Sequence, residues 1–541
     1  MLRVKIVDTL YMIMQWSFFA VMGLLFVGAV FFNISTAFRF SFREQIFWFV
    51  VITALFCITA FFAGLLLAKL PAVERFLCEK YRYVVFGVMG AIFVLQIIFA
   101  GLIYSDLVND VDVIILNAQA TTPDQFVWIE YFSLHPNNLL LLFLFRFIRL
   151  ALAPAGLEGS LIPVLIGVNI LAVNAAAVLT FFAVKEIFGT HKAYVAWIFT
   201  LVLVAFTPRL IVPYSDTLSM PFAISFLYLY AKLVKCPSEN RKIALALAMG
   251  VIAQVGFLIK PSSIIPLIAV CVIQVLMDAR SFKFGTGRPQ IFKEKSKKQR
   301  ARNVFYSKYL LTYTLVGLVA AGALFNLFTR TQSAIPFQDG IAVPAEHYIM
   351  MGMQVQESGG LYSFGSYNAQ DVAFTMGFGS TEAKRAAARE VISERLAGFG
   401  VGGYLEFLVN KARWITGDGT FYWGRYFALG NFEYATPMQL QFRNIFFPRG
   451  ENYAYYAHVA QGLWLFVLFW YFVAAFRRKD TSDVFVNICV CALIGIILFI
   501  LLTEGRSRYL FNHLPYFAIV SSMCFVSVFN AVTERFRAMR Q

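Results

Sequence analysis

The stretch Leu139–Leu150, LLLLFLFRFIRL, decides how this chain is threaded. It is apolar enough to be read as a membrane crossing, yet Arg146 and Arg149 interrupt it three residues apart, as in a helix lying along a membrane surface. The two readings give opposite topologies downstream. If 139–150 crosses, segment 279–308, with ten Lys/Arg (Arg280, Lys283, Arg288, Lys293, Lys295, Lys297, Lys298, Arg300, Arg302, Lys308) against Glu294, falls outside. If it lies flat, that segment falls inside, with nearly every other strongly basic stretch. These are Arg3 and Lys5, Lys69–Arg82, Lys185–Lys192, Lys235–Lys242, Arg477–Lys479 and Arg535–Arg540. Cytoplasmic loops collect Lys and Arg, so the surface reading is adopted. The short loop with Arg39 and Arg43 is the exception.

Composition agrees with a chain built for lipid. Of 541 residues, 60% are hydrophobic and 14% charged, and mean hydropathy is +0.69. A soluble domain is about 25% charged, so a soluble enzyme is excluded. The 46 basic and 30 acidic residues, net +16, reflect inside loops rather than nucleic-acid binding. Spanning runs occur at about 11–33, 45–68, 83–104, 160–184, 194–211, 219–235, 241–258, 262–278, 309–328, 461–476, 483–503 and 512–532. A crossing helix needs about 20 residues. The expectation is an all-α polytopic protein of 12 crossings with both termini cytoplasmic. The first run is too long and aromatic for a signal peptide and is read as a retained helix. Seven cysteines sit in or near apolar segments, so no disulfide framework is expected, and Cys489 and Cys491 are read as packing. No internal repeat is evident.

The chain divides into an N-terminal helix pair (1–82), a membrane core (83–328), an outward loop (329–460) and three C-terminal spans (461–541). The long loop contains a predicted amphipathic helix near 381–397, so it is read as an ordered cap.

Five outward segments carry candidate chemistry. Loop 105–138 holds Asp106, Asp110, Asp112, Asp124 and Glu130 and no Lys or Arg. Asp106 and Asp110 share one helical face if the preceding span continues. Crowded carboxylates raise one another's pKa. Such a group takes a proton from an attacking hydroxyl, or the set holds a divalent cation; a solvated acidic loop would look the same. Second is YFSLHPNN, where His135, Asn137 and Asn138 gather polar groups at the lipid edge, with capping accounting for one Asn. Third is Asp216 in PYSDTLSMP, an acid in apolar surroundings, either functional or a helix cap. Fourth is Lys260 in GFLIKPSSII, which suits an anion or a snorkelling role. Fifth is TEGRSRYLFNHLP, where Arg506 and Arg508 run against the positive-inside trend. Their guanidinium forks match phosphate oxygens, with Glu504 orienting one, or they form an ion-paired helix boundary. No P-loop, HExxH or GxSxG in a suitable context is present.

In this order, with KEIFG ending a span and a short Lys-Pro hairpin, the segments resemble the GT-C superfamily of integral-membrane glycosyltransferases. The likeness is nearest the protein mannosyltransferase and aminoarabinose-transferase branch. YFSLHPNN and EGRSRYLFNHLP also resemble large membrane glycosyltransferases of Gram-positive bacteria. The resemblance covers roughly 83–515, and it gives no role to the first two spans. The family's Asp-Glu pair in the first outer loop reads Asp-Val-Asp here. The resemblance implies a GT-C-like bundle and an extracytoplasmic site in the cell membrane. It implies inverting transfer of a sugar from a polyprenyl-phosphate donor to an envelope polymer, lipid or protein. Asp112 or Asp110 would be the base, with Arg506, Arg508 and Lys260 on the phosphate. Asp106, His135, Asn137, Asn138, Asp216 and Glu504 would shape the pocket. No nucleotide is required; a divalent cation is the one cofactor left open. A transporter or flippase of lipid-linked sugars or envelope polymers is the alternative, and it would have less use for so long an outer cap.

Overall fold

The computed structural model describes residues 2–34, 38–281, 297–358, 361–423, 432–433, 435–476 and 483–538. The basic stretch 282–296 and Arg477–Lys479 lie outside the described residues. Twelve helices among those described are long and apolar enough to cross a membrane. The protein is an all-α polytopic membrane protein.

Helix pairing gives the direction of each crossing. Helix α1 (Leu2–Phe31), α2 (Phe42–Lys69) and the short α3 (Pro71–Glu79) precede α4 (Tyr81–Ile103). Between α4 and the next long apolar helix lie α5 (Asp110–Gln119), α6 (Tyr131–Leu134) and α7 (Leu139–Leu152). Then α8 (Leu161–Phe188) runs antiparallel to α4. Tyr81 stacks on Phe181 at one end, and Asn174 donates to Gln96 Oε1 at 2.8 Å further along. The far ends, Ile103 and Leu161, therefore share one face. On that face Gln338 N donates to Ser133 Oγ at 2.9 Å, and Val343 N donates to Leu134 O at 2.9 Å, so it is the face under the cap.

Antiparallel α4 and α8 leave room for no single crossing between them. Helix α7 starts and ends on the cap face. Its 14 residues would rise only about 21 Å, against about 30 Å of hydrocarbon. By composition Pro136–Ala155 counts among the twelve; its 14-residue helix, starting and ending on the cap face, is compatible with the surface position expected from the basic loops. Arg149 is buried, and Arg146 Nη1 donates to Ala120 O at 2.8 Å beside α5.

The crossing that replaces it is α9 (Thr190–Val204), too short by composition. Phe181–Tyr194 ring contact and the Asn169 bond to Leu210 O at 2.9 Å show that 194–210 runs antiparallel to α8 along the stretch from Phe181 to Asn169. The sequence places one span at 194–211; the helix stops at Val204 because Thr207-Pro208 starts a tighter turn, Pro208–Ile211. Helices α10 (Ser215–Leu218) and α11 (Met220–Lys235) return, and Lys232 meets Glu186 at 2.7 Å on the opposite face.

Helices α12 (Glu239–Ile259), α13 (Ile265–Ser281) and α14 (Lys297–Thr331) follow. α12 and α14 run parallel in close approach. A Cβ on Gly317 would meet Leu247 O at 2.3 Å, and Thr314 Oγ1 donates to Ala246 O at 3.2 Å. Small residues bring membrane helices together where apolar burial gives no driving force.

The cap comprises α15 (Ala345–Met351), the antiparallel hairpin β1 (Val355–Ser358) and β2 (Leu361–Phe364), α16 (Ala369–Met376), α17 (Thr381–Thr416) and α18 (Pro437–Phe446). The helix predicted at 381–397 is the first half of α17, which bends at Gly400 (φ 60°). Helices α19 (Tyr453–Ala475), α20 (Val484–Leu502) and α21 (Leu514–Ala538) complete the bundle. The N-terminal pair packs on α19: Phe18 contacts Tyr471, and Phe56 stacks on Phe466.

Candidate functional site

Beneath the cap, the ends of several spans bring charge into the interior. Asp216, at the second position of α10, is 3% exposed, and its cation neighbours Arg209, Lys260 and Arg508 are 2%, 7% and 5% exposed. Lys260 Nζ donates to Asp216 Oδ1. Arg209 Nη1 and Arg508 Nη1 lie 3.6 and 3.8 Å from Oδ2. Three cations thus gather on one buried carboxylate. Capping does not account for Asp216, because its side chain accepts no bond from the helix start and the capping position is Tyr214.

Arg506 continues the cluster. It is buried, its Nε donates to Ser366 Oγ of the cap at 3.0 Å, and it lies 3.7 Å from Glu504 Oε1. Tyr509 OH donates to Glu504 Oε2 at 2.9 Å, while the Tyr509 ring lies under Lys260 and Arg508. Glu504 thus faces Arg506 with one oxygen and Tyr509 with the other. Taken together, Arg209, Lys260, Arg506 and Arg508 face Asp216, Glu504 and Asp418, leaving an excess of positive charge in a desolvated place.

Asp418 and Arg209 are the residues that the sequence reading missed. Asp418, buried after Gly417 at the end of α17, accepts from Thr420 N (2.9 Å), Thr420 Oγ1 (2.6 Å), Tyr422 N (2.7 Å) and Ser507 Oγ (2.8 Å). Those bonds force a turn in which Phe421 and Tyr422 take φ of 53° and 63°. Bulky residues rarely adopt such angles. In return Phe421 O accepts from Arg209 Nη2, and the Tyr422 ring lies 5.0 Å from the Arg506 guanidinium. One turn thereby fixes two arginines and, through Ser507, the segment between Arg506 and Arg508.

The N-terminal pair braces this turn. Asn33 Nδ2 donates to Gly417 O at 2.7 Å, Arg413 Nη2 donates to Phe32 O at 2.8 Å, and Gln461, beside Gln45, accepts from Gly419 N at 2.7 Å. The cap is joined to the same region by Lys411, which is fully buried. Its ammonium donates to Gly352 O (2.7 Å), Thr503 O (2.6 Å) and Leu501 O (3.0 Å). Burial pulls Lys411 down to about 7, opposed by the Glu504 charge.

The acidic loop reaches the cluster through Tyr214, whose OH donates to Asp110 Oδ2 at 3.1 Å. Here one expectation is corrected. Asp106 and Asp110 do not share a helical face, because α4 ends at Ile103 and a new helix begins at Asp110. The break lies at Asn109, with φ 65°. Asp110 and Asp112, two apart on α5, point to different sides. Burial and then the Asp106 charge raise the Asp112 carboxyl above its ordinary value. His135 faces Tyr348 OH at 3.3 Å; burial lowers its pKa, and Asp110 opposes that shift. Asn138 does not cap α7 with its side chain, which donates instead to Tyr131 OH at 2.6 Å; Asn137 lies 3.5 Å from Asn138 Oδ1. Among the described residues no group of three or more His, Cys, Asp or Glu is placed to hold a metal ion.

Four described non-glycine residues have positive φ: Asn109, Trp128, Phe421 and Tyr422. Two lie in the Asp418 turn and two in the acidic loop, and strained backbone clusters at working sites.

These features define a polytopic helical membrane protein with a buried, cation-rich centre under an ordered cap. The chain belongs to a family described as conserved hypothetical integral membrane protein, whose model matches residues 4–528. No curated protein and no solved structure matches it.

Proposed function

We propose that the protein is an extracytoplasmic glycosyltransferase that takes a sugar from a polyprenyl-phosphate donor. The observation that carries this reading is the gathering of Arg209, Lys260 and Arg508 on Asp216, with Arg506 beside them, at the cap ends of membrane helices. A lipid phosphate enters from the bilayer edge and presents oxygens that match guanidinium forks in charge and geometry. Arg506 and Arg508 hold it. Lys260 is engaged by Asp216 and contributes charge to the site rather than a direct fork.

In the reaction the acceptor hydroxyl oxygen attacks the anomeric carbon, and the bond from that carbon to the phosphate oxygen breaks. The polyprenyl phosphate leaves with the electron pair, and the configuration inverts. Asp112 takes the hydroxyl proton; a carboxyl raised by burial and by Asp106 is the better base. Asp110, tied to Tyr214, sets the start of α5 relative to the cation cluster. Basic loops on the face opposite the cap support a cytoplasmic position for that face, and with it a donor drawn from the outer leaflet.

The test is transfer from a synthetic polyprenyl-phosphate sugar by purified protein, with Arg506→Lys and Arg508→Lys compared with wild type. Loss of donor use in at least one variant supports the reading; unchanged donor dependence in both would reduce these arginines to ion-paired structure.

A further inference from the structure

Trp128 sits in the acidic loop with φ 45° and is 56% exposed. A bulky side chain gains nothing in stability from that backbone, which persists only where neighbours impose it. The neighbours do impose it. Fully buried Asn117 holds Val127 at both polar atoms, donating to Val127 O at 2.8 Å and accepting from Val127 N at 3.2 Å. On the other side Tyr131 N donates to Trp128 O at 3.0 Å. The scaffold is thus built to hold an indole outward.

From Trp128 a ladder of rings leads inward. Its centroid lies 5.1 Å from Tyr131, and Tyr131 lies 4.8 Å from His135. His135 in turn faces Tyr348, whose main-chain oxygen accepts from Glu504 N at 2.6 Å. The exposed ring is therefore the outer end of a continuous path to the charged centre. Exposed Asp124 and Glu130 flank it, and the whole segment 105–138 carries no Lys or Arg. That charge pattern disfavours insertion beside anionic lipid headgroups, where anchoring segments carry Lys and Arg. It also repels a polyanionic ligand.

We propose that Trp128 is a stacking platform for an uncharged sugar ring of the acceptor. The proposal rests on the transferase reading and narrows its acceptor to a carbohydrate chain free of phosphate. The C–H face of a pyranose covers the indole, and Asp124 and Glu130 accept from its hydroxyls.

The experiment titrates chitotetraose, maltotetraose and poly(glycerol phosphate) against the full chain in nanodiscs by calorimetry. Wild type should bind at least one uncharged oligosaccharide and not the polyanion. Trp128→Tyr should keep most of that binding, and Trp128→Leu should weaken it about tenfold, as expected for loss of one aromatic contact. Trp128→Gly should also lose it while melting at a higher temperature than wild type, since glycine relieves the backbone. Binding of neither oligosaccharide, equal binding by Trp128→Leu and wild type, or tight binding of the polyanion would each overturn the proposal. Farnesyl phosphate binding, measured on the same variants, should be unchanged. Its loss in Arg506 and Arg508 variants is judged separately, so failure here is distinguishable from failure of the donor assignment.

Discussion

Replacing Asp216 by Asn keeps the volume of the side chain and removes one charge. Arg209, Lys260 and Arg508 then remain buried around a neutral amide. Removing one partner of a buried ion pair costs about 3–5 kcal/mol, because the other charge stays desolvated. Here three cations lose the same carboxylate, so the upper end of that range, about 5 kcal/mol, is expected. An anion entering the site should recover part of the loss. The assay is thermal unfolding of detergent-solubilised protein, followed by intrinsic fluorescence with and without farnesyl phosphate. The variant should melt well below wild type and should gain more from the probe than wild type does. Saturation at a hundred times Kd contributes about 2.7 kcal/mol to either protein, and a tighter Kd in the variant at the same probe concentration makes its gain larger. A variant that melts like wild type, or a probe that stabilises neither protein, would refute the assignment of this centre as an anion site.

Three further outcomes are expected. Asp112 acts only when ionised, and its carboxyl is held high by burial and by Asp106; Asp106→Asn should therefore shift the acid limb of the rate profile to lower pH, and an unmoved limb would remove Asp112 from proton transfer. Arg506→Lys or Arg508→Lys should lower donor use roughly ten- to hundredfold, the equivalent of about 1.5–3 kcal/mol for a charge-assisted bond, read from donor titrations. Lys411, lowered from 10.5 to about 7, binds fewer protons when folded. Folding stability should therefore fall as pH drops from 10.5 to about 7, where the unfolded chain takes up the proton first, and level off below about 7. Lys411→Met should speed proteolysis of the cap and flatten that pH dependence.

Much of the thread was legible because each crossing exposes its ends to a charge rule. The parity of basic loops reads 139–150 as a surface helix against its own hydropathy, and the antiparallel pairing of α4 with α8 is compatible with that reading. The run 194–211 is not one continuous helix, since Thr207-Pro208 marks the break and Arg209 follows it. That arginine, at the cap end of a span, carried the same signal as Arg506 and Arg508 and was hidden by treating the run as continuous. Asp418 was harder. Gly417-Asp418-Gly419-Thr420 reads as an ordinary turn, and only the fold brings Ser507 and the two arginines to it. Likewise the N-terminal pair has no motif; its contribution is contact with the Gly417–Gly419 backbone. The close spacing of Asp106, Asp110 and Asp112 suggested one carboxylate cluster, but spacing alone could not reveal the break at Asn109, which turns them to different surroundings.

The most direct measurement of the central claim is the fate of the lipid carrier. Purified protein in sealed liposomes receives a labelled polyprenyl-phosphate sugar and an oligosaccharide acceptor. The account predicts that free polyprenyl phosphate and glycosylated acceptor appear in equal amounts, and that both vanish with Asp112→Asn. Movement of intact polyprenyl-phosphate sugar across the bilayer, with no cleavage of the sugar–phosphate bond, would contradict it and identify a transporter.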